Sequence, residues 1–285
     1  MYEQEITRRH RTAFVIAIDQ SQSMLEELQF DGRRVSKAAA VAEVTNNLLN
    51  ELIMRARRDD GIRDYYDIAL IGYAGNDVTP LIDPKRALVP VGELELYAPM
   101  VSRIATERVL PDGSPSICIE ECPQWVSPRA FGDTPMYEAL LYVRDMVDAW
   151  CRNPRNIDSF PPVVFNITDG EASDCDEREL LDVANRIKSL ETSDGNVLLI
   201  NIHISSNPLV RSVIFPTVEE TKTENRYARI LAEASSVMPE PFNELIRMQR
   251  SDFCPPPYLG MSYNASIAEL ITMLNIGSRS VTDMR

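Results

Sequence analysis

The chain carries little positive charge for its size. Its 29 lysines and arginines face 43 aspartates and glutamates, giving a formal net charge of −14 over 285 residues. DNA and RNA are therefore not expected partners, because phosphate binding needs clustered Lys and Arg. Anionic membrane surfaces are disfavoured on the same ground. No apolar run approaches the roughly 18 residues of a membrane-spanning helix. The opening segment, Met1-Tyr-Glu-Gln-Glu-Ile-Thr-Arg-Arg-His-Arg11, lacks the apolar stretch of a signal peptide. Five cysteines, an odd number scattered at 118, 122, 151, 175 and 254, suit reduced thiols better than a disulfide framework. A cytoplasmic location is the expectation from these features together. Histidine is scarce, with only two residues. His10 lies in the polar opening segment, and His203 lies inside a strand-like run as a satisfied core residue. Internal repeats and low-complexity tracts are lacking as well.

What is present is an ordinary globular composition, 44% hydrophobic and 25% charged. One stretch organises the rest: Phe14-Val-Ile-Ala-Ile-Asp19-Gln-Ser21-Gln-Ser23. The apolar run reads as a strand buried on both faces of a parallel sheet. The polar residues then fall in the loop at its C-terminal end, where open α/β sheets bind ligands. Asp19, Ser21 and Ser23 are hard oxygen donors, which suit Mg²⁺ rather than Zn²⁺. Further oxygens follow downstream. Gly132-Asp-Thr134-Pro135 precedes a helix-like segment, and Val163-Val-Phe-Asn-Ile-Thr168-Asp169-Gly-Glu171 is a second buried strand ending in an acid.

The three pieces D-x-S-x-S, T-P at a helix start and T-D-G-E after a strand resemble the metal-ion-dependent adhesion site of von Willebrand factor A domains. Each stands in the right order and context, over roughly residues 12–205. The sequence departs from the family at Gln22, where many members have glycine, and in a longer gap between the serines and Thr134. The resemblance implies a doubly wound α/β fold with a mostly parallel sheet and helices on both faces. It implies metal ligands Asp19, Ser21, Ser23, Thr134 and Asp169, holding Mg²⁺, with Mn²⁺ or Ca²⁺ as substitutes. It also implies a function in binding rather than catalysis, with a partner protein supplying an Asp or Glu carboxylate. The wording around Thr134 and Asp169 looks like the stand-alone bacterial domains of tellurite-resistance and stress clusters. That likeness implies a cytoplasmic adaptor, with protein kinases, phosphatases or AAA+ ATPases as candidate partners.

Along the chain, residues 24–35 read as a loop or small hairpin. Ser36 caps a helix running to about 58, with Val41, Val44, Leu48 and Leu52 on one stripe. A strand at 67–73 completes a βαβ unit. Residues 76–130 hold eight of the 19 prolines and read as an insertion, with an edge strand near 78–82 and a helical turn near 100–107. The insertion is a candidate recognition surface. Helices are expected over 136–150 and from Asp174 to about 190, the latter opened by an Asp174–Glu177 capping box. A buried strand at 197–204 follows, then a loop at 206–223 and helices near 224–235, 240–249 and 265–276. The expectation is one domain over 1–285, whose tail from about 206 wraps the same sheet.

Other chemistries fit less well. A haloacid-dehalogenase-like phosphohydrolase needs an acid two residues after its nucleophile, and here that position is Ser21. Cys175 is flanked by Asp174, Asp176 and Glu177, which oppose a thiolate. Cys118 and Cys122 lack a second ligand pair for zinc. Trp125 and Trp150 read as core or loop anchors, and Glu171 and Asp174 as neighbours of Asp169 that either support it from behind or, as the preferred reading, are merely solvated. A structural subunit, in which metal merely stiffens loops, is the remaining alternative.

Overall fold

A computed structural model describes residues 1–98, 100–109, 115–207, 209–250 and 254–278, and over 102–121 the backbone alone. In chain order the first elements are β1 (Thr12–Asp19), the hairpin β2 (Glu27–Phe30) and β3 (Arg33–Ser36), and α1 (Lys37–Ala56). The ribbon β4 (Arg57–Arg58) and β5 (Gly61–Ile62) leads to β6 (Tyr66–Ala74), β7 (Asp77–Pro80) and β8 (Val89–Pro90). Next come β9 (Met100–Val109), β10 (Pro115–Gln124), α2 (Met136–Cys151), β11 (Val163–Thr168) and α3 (Glu177–Ser189). A second ribbon, β12 (Glu191–Thr192) and β13 (Gly195–Asn196), precedes β14 (Leu198–Ile204), β15 (Val213–Ile214), α4 (Val218–Thr221) and α5 (Arg226–Ala234). The described chain closes with α6 (Asn243–Gln249), β16 (Met261–Ala265) and α7 (Ile267–Gly277).

The main sheet runs β15-β16-β14-β11-β1-β6-β7, with β8 also on β6. Its five central strands are parallel, and β7, β8 and β15 are antiparallel additions. Side chains alternate across a strand, so β1 feeds two cores. Phe14, Ile16 and Ile18 pack with Val41, Val44, Leu48 and Leu52 of α1 and with Leu270 and Leu274 of α7. Ala13, Val15 and Ala17 pack with Leu140 and Val143 of α2 and Leu180 and Ile187 of α3. Burial on both faces is why the run at 13–18 is continuously apolar rather than alternating. The doubly wound α/β class expected from the sequence is what the structure has. Among the described residues, no helix is long and apolar enough to cross a membrane.

Several local expectations are corrected. Residues 100–107 form strand, not a helical turn: β9 pairs antiparallel with β10 from Met100↔Gln124 to Val109↔Pro115. The capping box of α3 is Asp176 with Glu179, two residues later than expected. Asp174 is engaged elsewhere, as described below. The loop expected over 206–223 contains β15 and the single turn α4. β16 was not expected at all, yet it is the fifth parallel strand. Of the Cys118–Cys122 pair weighed for zinc, the Cys118 side chain lies outside the described residues.

Candidate metal centre at the carboxyl ends of two central strands

β1 and β11 are neighbours, with Ile18 opposite Ile167. From β1 the chain crosses by α1 to β6 on one side, then returns by α2 to β11 on the other. The strand order therefore reverses around β1, and the crevice beyond its carboxyl end is the position where such sheets bind ligands.

Asp19 ends β1 and is fully buried. Its Oδ1 accepts the Ser21 N–H at 2.8 Å, and its Oδ2 accepts the Thr168 hydroxyl at 2.8 Å. Burial pushes the Asp19 carboxyl up to about 6; the bonds from Ser21 and Thr168 act against this, and Asp169 adds to the rise. Beyond Asp19 the polar atoms form a directed chain. Ser21 Oγ lies 3.0 Å from Ser23 Oγ, which donates to Asp169 Oδ1 at 2.6 Å. Since Ser23 spends its proton on Asp169, it can only accept from Ser21. Ser23 itself is exposed, whereas Ser21 and the Asp169 side chain are covered. Access to the cluster is therefore from the Ser23 side.

The second oxygen of Asp169 is also occupied. Lys37 Nζ donates to Asp169 Oδ2 at 2.9 Å and to Glu26 Oε2 at 2.7 Å. Lys37 is the first residue of α1 and is 4% exposed. A buried cation at the positive end of a helix dipole needs acidic partners, and these two carboxylates supply them.

Thr134 arrives from the insertion. The loop before it is stitched to its neighbours by backbone bonds: Phe131 N–H to Gln20 C=O at 2.8 Å, Gln22 N–H to Gly132 C=O at 3.0 Å and Gly75 N–H to Asp133 C=O at 2.9 Å. Gly132 has φ +66°, and a Cβ there would stand 2.7 Å from Gly75 Cα. Only glycine permits this approach. The Thr134 N–H donates to Ser173 Oγ at 2.9 Å, and its carbonyl accepts the Ser173 N–H at 3.0 Å. Thr134 thus sits, buried, where the loops after β1, β6 and β11 meet. Asp19, Ser21, Ser23 and Asp169 are joined in one hydrogen-bonded cluster. Thr134 is tied to that cluster's frame through its backbone.

Two carboxylates and neutral hydroxyls converging at a strand-end crevice are the donor chemistry that hard cations take. Among the described residues, no group of three or more His, Cys, Asp or Glu side chains is placed to hold a metal ion. The oxygen set here has two such residues and relies on hydroxyls for the rest.

Residues that sequence reasoning passed over support the site from below. Tyr73 O–H donates to Asn166 Oδ1 at 2.9 Å, Asn166 Nδ2 to Asn201 Oδ1 at 3.0 Å, and Asn201 Nδ2 to Ser235 Oγ at 3.0 Å. This buried ladder crosses β1 beside Ala17, the register partner of Asn166, whose methyl leaves room for it. Asp174, expected to be solvated, accepts the Tyr137 and Glu138 N–H groups at 3.1 and 3.0 Å. It caps α2 from another loop and so fixes the helix that follows Thr134. Lys37 was missed as well; a lysine next to a helix cap reads as a surface residue.

The remaining candidates sit as structural residues. His203 stacks on Tyr263 at 4.5 Å and accepts the Asn264 N–H at 3.1 Å; burial pushes it down to about 4. Burial, then Asp174, Glu179 and Asp176, push the Cys175 thiol up to about 12. Trp125 Nε1 donates to the Leu94 carbonyl at 2.8 Å and Trp150 Nε1 to Asp67 at 2.9 Å, which makes both anchors.

No family model matches the chain. No curated protein matches it either. Solved structures are similar at low identity. "Von Willebrand factor type A from Catenulispora acidiphila" is 15% identical with a TM-score of 0.37, over 69% of this chain and 34% of that one. This chain thus spans about a third of that structure's length. The vWF domain of the type V pili tip protein Mfa5 from Porphyromonas gingivalis is 9% identical with a TM-score of 0.43, over 93% of each chain. An uncharacterized membrane spanning protein from Vibrio fischeri is 14% identical with a TM-score of 0.28, over 68% of this chain and 71% of that one. At this level the description of the molecule stands on its own topology. It is a doubly wound α/β protein with an oxygen-rich cluster at the point where the strand order reverses.

Proposed function

We propose that the chain is a divalent-cation-dependent protein-interaction module of the von Willebrand factor A type, acting in binding and not in catalysis. The observation that carries this reading is the cluster of Asp19, Ser21, Ser23 and Asp169, with Thr134 held at its edge by Ser173. These five residues would hold Mg²⁺, with Mn²⁺ or Ca²⁺ as substitutes. When bound, the ion supplies an electron-poor coordination position that takes a carboxylate from a partner's Asp or Glu. The chain's own residues do the positioning. Thr168 and the Ser21 N–H fix both oxygens of Asp19, so its orientation is set before any ligand arrives. Exposed Ser23 marks the open side, and the loops on either side of it would meet the partner.

A purely stiffening role for the metal is less well supported. The loops that carry Gln20, Gln22 and Asp133 are already joined by backbone hydrogen bonds. The phosphohydrolase reading is also weaker, because the position where it needs an acid is occupied by a serine bonded to Ser23. Within the binding reading we place the protein in the cytoplasm, as an adaptor in a stress- or defence-related assembly of the tellurite-resistance type. A kinase, phosphatase or AAA+ ATPase is the partner class to examine first, and one domain spans 1–285.

The test is capture of partners by the immobilised chain, with Mg²⁺ and with chelator, beside Asp19→Ala. A partner retained only by the unmodified chain with Mg²⁺, while the variant keeps its thermal stability, supports the reading. Capture indifferent to chelator, or a variant that loses stability in step with capture, contradicts it.

A further inference from the structure

Lys37 belongs to the cluster but to none of the motif pieces that drew attention to it. Its ammonium has two carboxylates of different character. Asp169 is fully covered, whereas the Glu26 side chain is 59% exposed and accepts a second bond from Ser206 Oγ at 2.9 Å. The Lys37 N–H also donates to the Glu26 carbonyl at 2.8 Å, so Lys37 and Glu26 are tied together by backbone and side chain alike. Lys37 therefore has a place to lean on either side.

We propose that Lys37 is a tethered cation that shares Asp169 with the divalent ion, lowering the site's affinity for the ion and leaving a bound ion in need of an outside carboxylate. This inference rests on the metal-site reading above. Two carboxylates, Asp19 and Asp169, match the two charges of the ion. The three covered side chains, Asp19, Asp169 and Lys37, sum to one negative charge; Glu26 brings the total to two but is exposed and screened by solvent, so a bound ion keeps up to one uncompensated positive charge. An incoming Asp or Glu cancels it. Without the ammonium both acids serve the ion, which is then held tightly with less call for a partner. Ammonium and metal charges meeting at one covered carboxylate repel each other with little screening by salt. Glu26 moderates this by drawing the ammonium outward. The balance between Glu26 and Asp169 thus sets how readily the ion enters.

The experiment is calorimetric titration of the chelator-treated full chain with Mn²⁺ alone. Lys37→Met, which keeps most of the side chain's length without its charge, is expected to tighten binding by about tenfold or more. Glu26→Gln lets the ammonium rest on Asp169 and is expected to weaken binding several-fold. Glu27→Gln, the neighbouring exposed acid paired with Arg34, is expected to change nothing, which separates a local contact from a general charge effect. Binding by Lys37→Met alone is the extreme form of the expected result. Equal affinities in the unmodified chain, Lys37→Met and Glu26→Gln overturn the inference and leave the metal site standing. If Lys37→Met does not fold, as judged by circular dichroism, the weakening or constancy of Glu26→Gln decides. Absence of binding in all forms overturns both this inference and the reading it rests on.

Discussion

Ser23 Oγ lies 2.6 Å from Asp169 Oδ1, joining the loop after β1 to the loop after β11, 146 residues later in the chain. The parallel pairing of β1 with β11 makes this contact, because both strands deliver their carboxyl ends to one edge. The cluster is thus a consequence of topology. Residues that are distant in sequence become neighbours wherever two such strands adjoin.

The floor under the cluster is polar and buried, so its hydrogen bonds count heavily. Asn166→Ala would strand Asn201 Oδ1 and leave the Tyr73 hydroxyl only its longer bond to the Ile167 carbonyl at 3.3 Å. The expected cost is about 1–3 kcal/mol for each group left unpaired, read as a lower urea midpoint with unchanged slope. An unchanged midpoint would show that water replaces Asn166 at no cost.

Gly132→Ala tests the placement of Thr134. The residue has φ +66° and no room for a Cβ against Gly75. Strain of roughly 1–3 kcal/mol is expected from the backbone alone. The loop must also move, taking Thr134 with it, so metal affinity should fall with stability. Loss of stability at constant affinity would mean that Thr134 is not needed by the ion.

Asp174→Ala removes a cap supplied to α2 from another loop. A loss of about 1 kcal/mol is expected in thermal or urea unfolding, the usual worth of such a cap. Asp176→Ala should cost a similar amount at α3, because each acid serves a different helix. If only Asp176→Ala destabilises, Asp174 is a solvated neighbour after all.

The thiols give a pH dependence. Burial raises both Cys151 and Cys175 from the ordinary 9.0 to about 12. Between those values the folded protein keeps protons that the unfolded chain releases. The sign is therefore a stability that falls as pH rises above 9.0. At pH 8 both cysteines should react with iodoacetamide more slowly in the native protein than in urea. Rapid native labelling of Cys175, followed by peptide mass, would contradict the buried environment.

How much of this was legible beforehand depended on the kind of signal. β1 and β11 could be read because a strand covered on both faces is continuously apolar. The meeting of Asp19, Ser21, Ser23 and Asp169 could be read because their short motifs stand at the ends of two continuously apolar strands. The α1 stripe followed from helical spacing alone. The β9–β10 hairpin was obscured by Met100-Val-Ser-Arg-Ile-Ala-Thr-Glu-Arg-Val109, whose mixed polarity shows neither period clearly. β16 is five residues, Met261-Ser-Tyr-Asn-Ala265, and becomes a strand by pairing with β14, which lies far earlier in the chain. Lys37 and Asp174 carry no local signal, since each acts on an element distant in sequence. Side chains that work through tertiary contacts are where reading along the chain falls short.

The central claim is that the Asp19 cluster holds a divalent ion. The most direct test is calorimetric titration of the chelator-treated protein with Mg²⁺, beside an Asp19→Ala/Ser21→Ala variant of confirmed fold. Saturable heat from the unmodified protein, abolished in the variant, is the expected result. No binding by the unmodified protein, or equal binding by both, would contradict the claim.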